Sequence, residues 1–149
     1  MTDLERLFSD LVRVETRLWN LLEARLQSEL GLTLGRFETM AVLGRRGRCR
    51  AQDIAAELGI TLSGTSKLLT RIEGAGHCVR AANPDDGRSS LIELTPHGRA
   101  TLAEARGLVQ TELAEHLDAA LSPQAVRTLS ATLARLKSST YLTDATPGV

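Results

Sequence analysis

Apolar residues recur every three to four positions along most of this chain, and the breaks between the runs fall at glycine, proline and hydroxyl residues. Leu4, Leu7, Phe8, Leu11, Val14, Leu18, Leu21 and Leu22 follow helical periodicity, and Leu26 and Leu30 prolong it. Thr2-Asp3-Leu4-Glu5 has capping-box spacing and opens this first helix. No glycine or proline interrupts it before Gly31. About 27 residues at 1.5 Å per residue span roughly 40 Å. That is longer than the core of so small a chain can cover, and a partner subunit is the natural surface for the excess.

Thr33 caps a second helix, Leu34 to about Arg45, which carries Phe37, Met40, Ala41 and Leu43 inward. Gly44 and Gly47 close it, amid Arg45, Arg46, Arg48 and Arg50. The pattern leaves open whether this arginine cluster is a solvated loop or a phosphate-contacting surface. Ala51 to Leu58 is a short third helix with Ile54 and Leu58 inside, ended by Gly59. Thr61 caps a fourth helix, which Gly74 and Gly76 end. Here Thr65, Leu68, Leu69 and Ile72 recur as one buried face, while Ser63, Ser66, Lys67, Thr70 and Arg71 fall on the other side.

Cys78–Ala81 and Leu91–Leu94 read as two short strands around Asn83-Pro84-Asp85-Asp86-Gly87-Arg88-Ser89-Ser90, a concentrated turn signal. Thr95-Pro96 starts a long helix to about Ala120, with Leu102, Ala105, Val109, Leu113 and Leu117 inward. Ser122-Pro123 starts a last helix lined by Val126, Leu129, Leu133 and Leu136. Periodicity fades from Lys137, and residues 140–149 read as a loose tail. The expected fold is mainly α with one small β-hairpin.

Two short helices joined by a tight glycine-containing turn, the second with a polar outer face, form a helix-turn-helix pattern. Short hydroxyls and two cations on that face can approach a base edge or a phosphate. A hairpin directly after it is a wing, and Arg88 at its tip suits a minor groove. Taken singly, each piece has a plainer reading: an amphipathic surface helix, and a surface hairpin with an exposed arginine.

Composition changes this picture little. The 149 residues suit one domain with a real core, and 3% aromatics leave the packing to aliphatic side chains. Net charge is zero, but its distribution is uneven: residues 1–43 carry −2, residues 44–99 carry +3 and residues 100–149 carry −1. A basic centre between acidic ends fits a central DNA-binding lobe. Two isolated cysteines, Cys49 and Cys78, make neither a disulfide scaffold nor a zinc site, and are expected to be buried apolar fillers. His77, His97 and His116 are scattered without metal-ligand spacing, so no metal or cofactor is expected. No secretory signal and no apolar run of about 20 residues is visible. The expectation is a cytoplasmic protein with no membrane partner. No nucleophile–base set or phosphate loop argues for an enzyme.

Four segments in sequence carry a more specific signal. Ile54-Ala55-Ala56-Glu57-Leu58-Gly59-Ile60, Ser66-Lys67-Leu68-Leu69-Thr70-Arg71-Ile72-Glu73-Gly74-Ala75-Gly76, Asn83-Pro84-Asp85-Asp86-Gly87-Arg88-Ser89 and Leu94-Thr95-Pro96-His97-Gly98-Arg99 closely resemble the MarR family of bacterial transcriptional regulators. The resemblance covers roughly residues 4–138. It implies a single domain over residues 1–149, in which 4–30 and 96–138 form a helical dimerisation region and 34–94 a winged helix-turn-helix DNA-binding lobe. It implies a homodimer on a near-palindromic double-stranded operator, with recognition helices about 10 bp apart. It implies a repressor released by a small aromatic or antibiotic-like effector. The DNA-contacting residues it implies are Ser63, Thr65, Ser66, Lys67, Thr70, Arg71, Arg88 and Ser89, with Asp86 orienting the wing arginine. Thr65 sits at the margin, because its spacing is partly inward. Trp19, Asn20 and Phe37 lie where an effector pocket wall could form.

Three departures from the family pattern matter. Gly87 replaces the first of two wing arginines, Asn83 replaces an aspartate, and Arg50 replaces the hydroxyl before the third helix. The last loses a cap worth about 1 kcal/mol, which Asp53 offsets in part through the helix dipole. The alternatives to the leading reading are a winged-helix protein-interaction module without DNA binding and a thiol-based redox regulator.

Overall fold

Local caps set the helix boundaries in the computed structural model, which describes residues 1–139. The loose tail expected at 140–149 lies outside the described residues. Helix α1 spans Asp3–Leu30, and the capping box forms: the Glu5 amide donates to the Thr2 hydroxyl and the Thr2 amide to the Glu5 carboxylate. Helix α2 (Leu34–Arg46) is capped by Thr33, α3 (Ala51–Leu58) begins at Arg50, and α4 (Leu62–Gly74) is capped by Thr61. Strands β1 (Cys78–Asn83) and β2 (Asp86–Leu94) form the hairpin. Helices α5 (Pro96–Leu117) and α6 (Pro123–Lys137) follow, capped by Thr95 and Ser122, each with proline in its first turn. Helix α5 stops three residues short of the expected Ala120.

The core lies where α2, α3, α4, the base of the hairpin, the second half of α1 and the first half of α5 meet. Leu26, Met40, Ile54, Leu69, Ile72, Ile92 and Ala105 are fully buried there. Leu22 and Leu26 are the buried residues of α1, both in its second half. Leu4, Leu7, Phe8 and Leu11 in its first half are exposed, and α6 has no buried residue at all. The periodic apolar stripes of these two helices are real, but they face away from their own subunit.

The wing differs from its expected outline. The ladder pairs Cys78 with Leu94, Ala81 with Leu91 and Ala82 with Ser90, then closes Asn83 against Asp86 across a register irregularity. The turn is therefore Pro84-Asp85, and the eight-residue turn signal contracts to its first half. Gly87-Arg88-Ser89, poor strand formers, fall within that irregularity with no partner residue on β1, and the regular ladder starts at Ser90. Arg88 stands in the irregular start of β2, two residues beyond Asp86, rather than in the two-residue turn.

One joint ties α4, the hairpin and α5 together. The Thr95 hydroxyl donates to the Gly76 carbonyl at 2.6 Å, the Thr95 amide donates to the His77 carbonyl at 3.0 Å, and the Gly98 amide donates to the Thr95 hydroxyl at 2.9 Å. Gly76 sits at φ +76°, a backbone conformation that lets the chain reverse out of α4. The His77 ring stacks near His97 with centroids 4.8 Å apart, and its Nδ1 is buried without a partner among the described residues. Burial, then His97 and Arg36, hold the His77 pKa below the ordinary 6.5. A depressed histidine pKa stabilises the fold above the unfolded value and loses that contribution as pH falls through the folded one. Thermal stability is therefore expected to drop on acidification from pH 7 to below 6, and a melting series on His77→Gln should show a shallower drop. Equal slopes for the two proteins would contradict this.

Candidate nucleic-acid interface

Helix α4 exists because Leu69 and Ile72 pack fully into the core, while a hydroxyl cap at Thr61 accepts from the Gly64 amide at 3.0 Å. That anchoring fixes which side faces out. Ser63, Lys67, Thr70 and Arg71 are exposed, and Ser66 is half-buried. The Thr70 hydroxyl donates to the Ser66 carbonyl at 2.9 Å and retains its acceptor lone pairs. Thr65 is a correction: it is fully buried, and its hydroxyl donates to the Thr61 carbonyl at 3.0 Å. The tilt of the helix onto the core turns this marginal position inward, so its side chain is not part of the exposed face.

On the wing, Arg88 is exposed and its amide donates to the Asp86 carboxylate at 3.0 Å. Asp86 thus holds the backbone of Arg88, and among the described residues nothing accepts a hydrogen bond from its guanidinium. The Ser89 hydroxyl accepts from the Asn83 side-chain amide at 3.0 Å and so braces the turn from within. The Asn83 carbonyl oxygen also accepts from the Asp85 amide, so asparagine closes the turn where the family has aspartate. Gly87 has no positive φ and open space around it, so the missing arginine is not forced by the backbone.

The arginine cluster after α2 resolves into ion pairs. Arg45 and Arg46 both reach Glu57, Arg48 grips Glu93 at 3.0 Å, and Arg50 grips Asp53 at 3.1 Å. Hydrogen bonds from these guanidiniums hold the Glu57, Asp53 and Glu93 carboxyls below the usual range. Asp53 also accepts from the Arg50 amide at 2.9 Å, so it restores half of a capping box at α3 through hydrogen bonding rather than the dipole alone. Lys67, Arg71 and Arg88 form no ion pair among the described residues. Three unpaired cations therefore lie on the outer face of α4 and on the wing.

A groove between α3, the start of α4 and the hairpin joins the two. It is lined by Arg50, Gln52, Ser66, Arg80, Arg88 and Ser89, above Leu62 and Ile92. Gln52 and Arg80 are absent from the sequence-derived set, and Arg50 stood there only as one of four clustered arginines left open between loop and phosphate contact. Their signal was weak, because residues scattered over 30 positions meet only once the hairpin folds back on α3.

The expected effector residues separate. Trp19 and Asn20 line a shallow recess with Glu15 and Thr16 on the outer side of α1. Phe37 is a correction: it is buried in the core with Met40 and Ile72 and lines no recess with them. Burial pushes the Cys49 thiol up and the Cys78 thiol up to about 11, the opposite of activation. No helix among the described residues is long and apolar enough to cross a membrane.

Known proteins agree with this geometry. The family model described as the MarR family matches residues 30–89. An uncharacterized HTH-type transcriptional regulator of Bacillus subtilis (strain 168), YfiV, is 30% identical over 71 residues, and the match covers 48% of this chain and 44% of that protein. The chain thus spans less than half the length of this curated relative. The crystal structure of a mutant MarR from E. coli complexed with operator DNA is similar at a TM-score of 0.79 and 25% identity, covering 88% of this chain and 93% of that one. The transcriptional repressor CouR, bound to a 23-mer DNA duplex, is similar at a TM-score of 0.77 and 31% identity, covering 85% of this chain and 89% of that one. In fold over most of its length, and in sequence through α2, α3, α4 and the turn of the wing, the chain belongs to the MarR family of transcriptional regulators.

Proposed function

We infer that the protein is a sequence-specific, dimeric DNA-binding repressor that a small ligand releases from a near-palindromic operator. The observation that carries this reading is the outer face of α4, where Ser63, Ser66, Thr70, Lys67 and Arg71 present hydroxyls and unpaired cations outward. The MarR and CouR structures, both bound to DNA, support it by likeness. The exposed apolar stripes of α1 and α6 support a second copy of the chain as partner, since leaving them in water would forgo their burial. Trp19 and Asn20 are the residues proposed for a small aromatic or antibiotic-like effector. A cytoplasmic location follows from a DNA partner.

Operator binding is tested by titrating the protein onto its own upstream promoter region at two salt concentrations. Tight, strongly salt-dependent binding is expected, and no preference over random duplex would sink the proposal. A footprint repeated with candidate effectors tests release. Arg88→Ala is expected to weaken operator binding about tenfold while the dimer survives in gel filtration. Unchanged affinity would remove the wing from the interface.

A further inference from the structure

We propose that the groove between α3 and the wing is a seat for one backbone phosphate of the operator, in which Arg80 leaves its intramolecular partner Glu73 to join Arg50 and Arg88. The inference rests on the DNA-binding reading above and assigns the groove a ligand.

Three observations converge on it. Arg50, Arg80 and Arg88 line one recess together with Ser66, Ser89, Ser90 and Gln52. The recess also contains the start of α3, whose N-cap side chain accepts no hydrogen bond from the helix amides, because arginine has no acceptor. Ala51 and Gln52 of this first turn line the groove at the positive end of the helix dipole, and no side chain caps their amides. Finally, two of the three guanidiniums are held only by exposed pairs: Arg80 to Glu73 at 3.2 Å and Arg50 to Asp53 at 3.1 Å. Pairs of this exposure contribute little, so a phosphate that accepts a bidentate guanidinium can displace one of them. Asp53 must stay, since it caps α3 through the Arg50 amide. Among the described residues the Glu73 carboxylate has no other hydrogen bond or ion pair, so Arg80 is the cation free to exchange. Arg50 and Arg80 would also restore cationic reach at the wing, where Gly87 stands in place of an arginine.

The salt dependence of binding to a 30-bp duplex of the upstream promoter region tests this, with Arg80→Ala, Arg80→Lys and Glu73→Gln compared to the unsubstituted protein. If Arg80 takes a phosphate, Arg80→Ala lowers the slope of log K against log salt by about one, Arg80→Lys retains it, and Glu73→Gln tightens binding several-fold. If the pair is only a strap between α4 and β1, Arg80→Ala and Glu73→Gln weaken binding alike and leave the slope unchanged, which overturns the inference. Unsubstituted protein that fails to bind duplex even at low salt overturns the DNA reading itself, a separate and recognisable outcome. Matching melting temperatures for all four proteins exclude misfolding as the cause of any loss.

Discussion

Gly98→Ala is expected to destabilise the fold by about 3 kcal/mol or more, which lowers the melting temperature by roughly 10 °C in a chain of this size. A Cβ at this position would fall inside the van der Waals radius of the His77 carbonyl group, with its oxygen, carbon and Cα all in the way. That obstacle is backbone, already engaged by the Thr95 amide at 3.0 Å, so it cannot rotate aside. Relief requires α5 to lift from the junction between α4 and β1, and that separates the recognition helix from its support. Gly44 offers a matched comparison: its Cβ would meet the Leu102 side chain at 2.8 Å, a methyl that a rotamer change can move. Gly44→Ala should therefore cost clearly less. Circular dichroism melts of the two variants decide the matter, and a Gly98→Ala loss no larger than that of Gly44→Ala would show that the junction is more compliant than its geometry implies.

The largest effect on binding is expected from Leu129→Asp combined with Leu133→Asp on α6. Both leucines are about two-fifths exposed, and no residue of α6 is buried within its own subunit. The double variant should therefore keep its fold and elute as a monomer. Operator affinity should fall by about 10²- to 10⁴-fold, because the second half-site no longer binds as part of one molecule. Light scattering and a binding titration read both consequences. A variant that remains dimeric would move the interface away from α6, and an unsubstituted protein that is itself monomeric would end the dimeric reading.

Much of the architecture was legible before any coordinates, for a local reason. Thr2, Thr33, Thr61, Thr95 and Ser122 all cap helices by accepting from the amide three residues on, and such contacts are written in nearby positions. The outer face of α4 was legible likewise, since one helical period sorts Leu69 and Ile72 from Lys67 and Arg71. The sequence read less well wherever an orientation depends on a distant neighbour. Thr65 lies on the edge of the periodic stripe, and only the packing of α4 on its core decides that its hydroxyl turns inward. Phe37 looked like a pocket wall, and its burial among residues of α2 and α4 makes it core.

The chain's own pattern determined the elements, their caps, the family and the polar face of α4, because each depends on spacings within a few residues. The tertiary structure alone decided where the wing turns, since a strand register is a choice between two segments, and the shift between Ala82 and Asn83 leaves Arg88 in the irregular start of β2. It alone decided which arginines are spent. Arg48 meets Glu93 across 45 positions and Arg80 meets Glu73 across the α4–β1 junction, and no local period encodes a pairing between elements that touch only after folding.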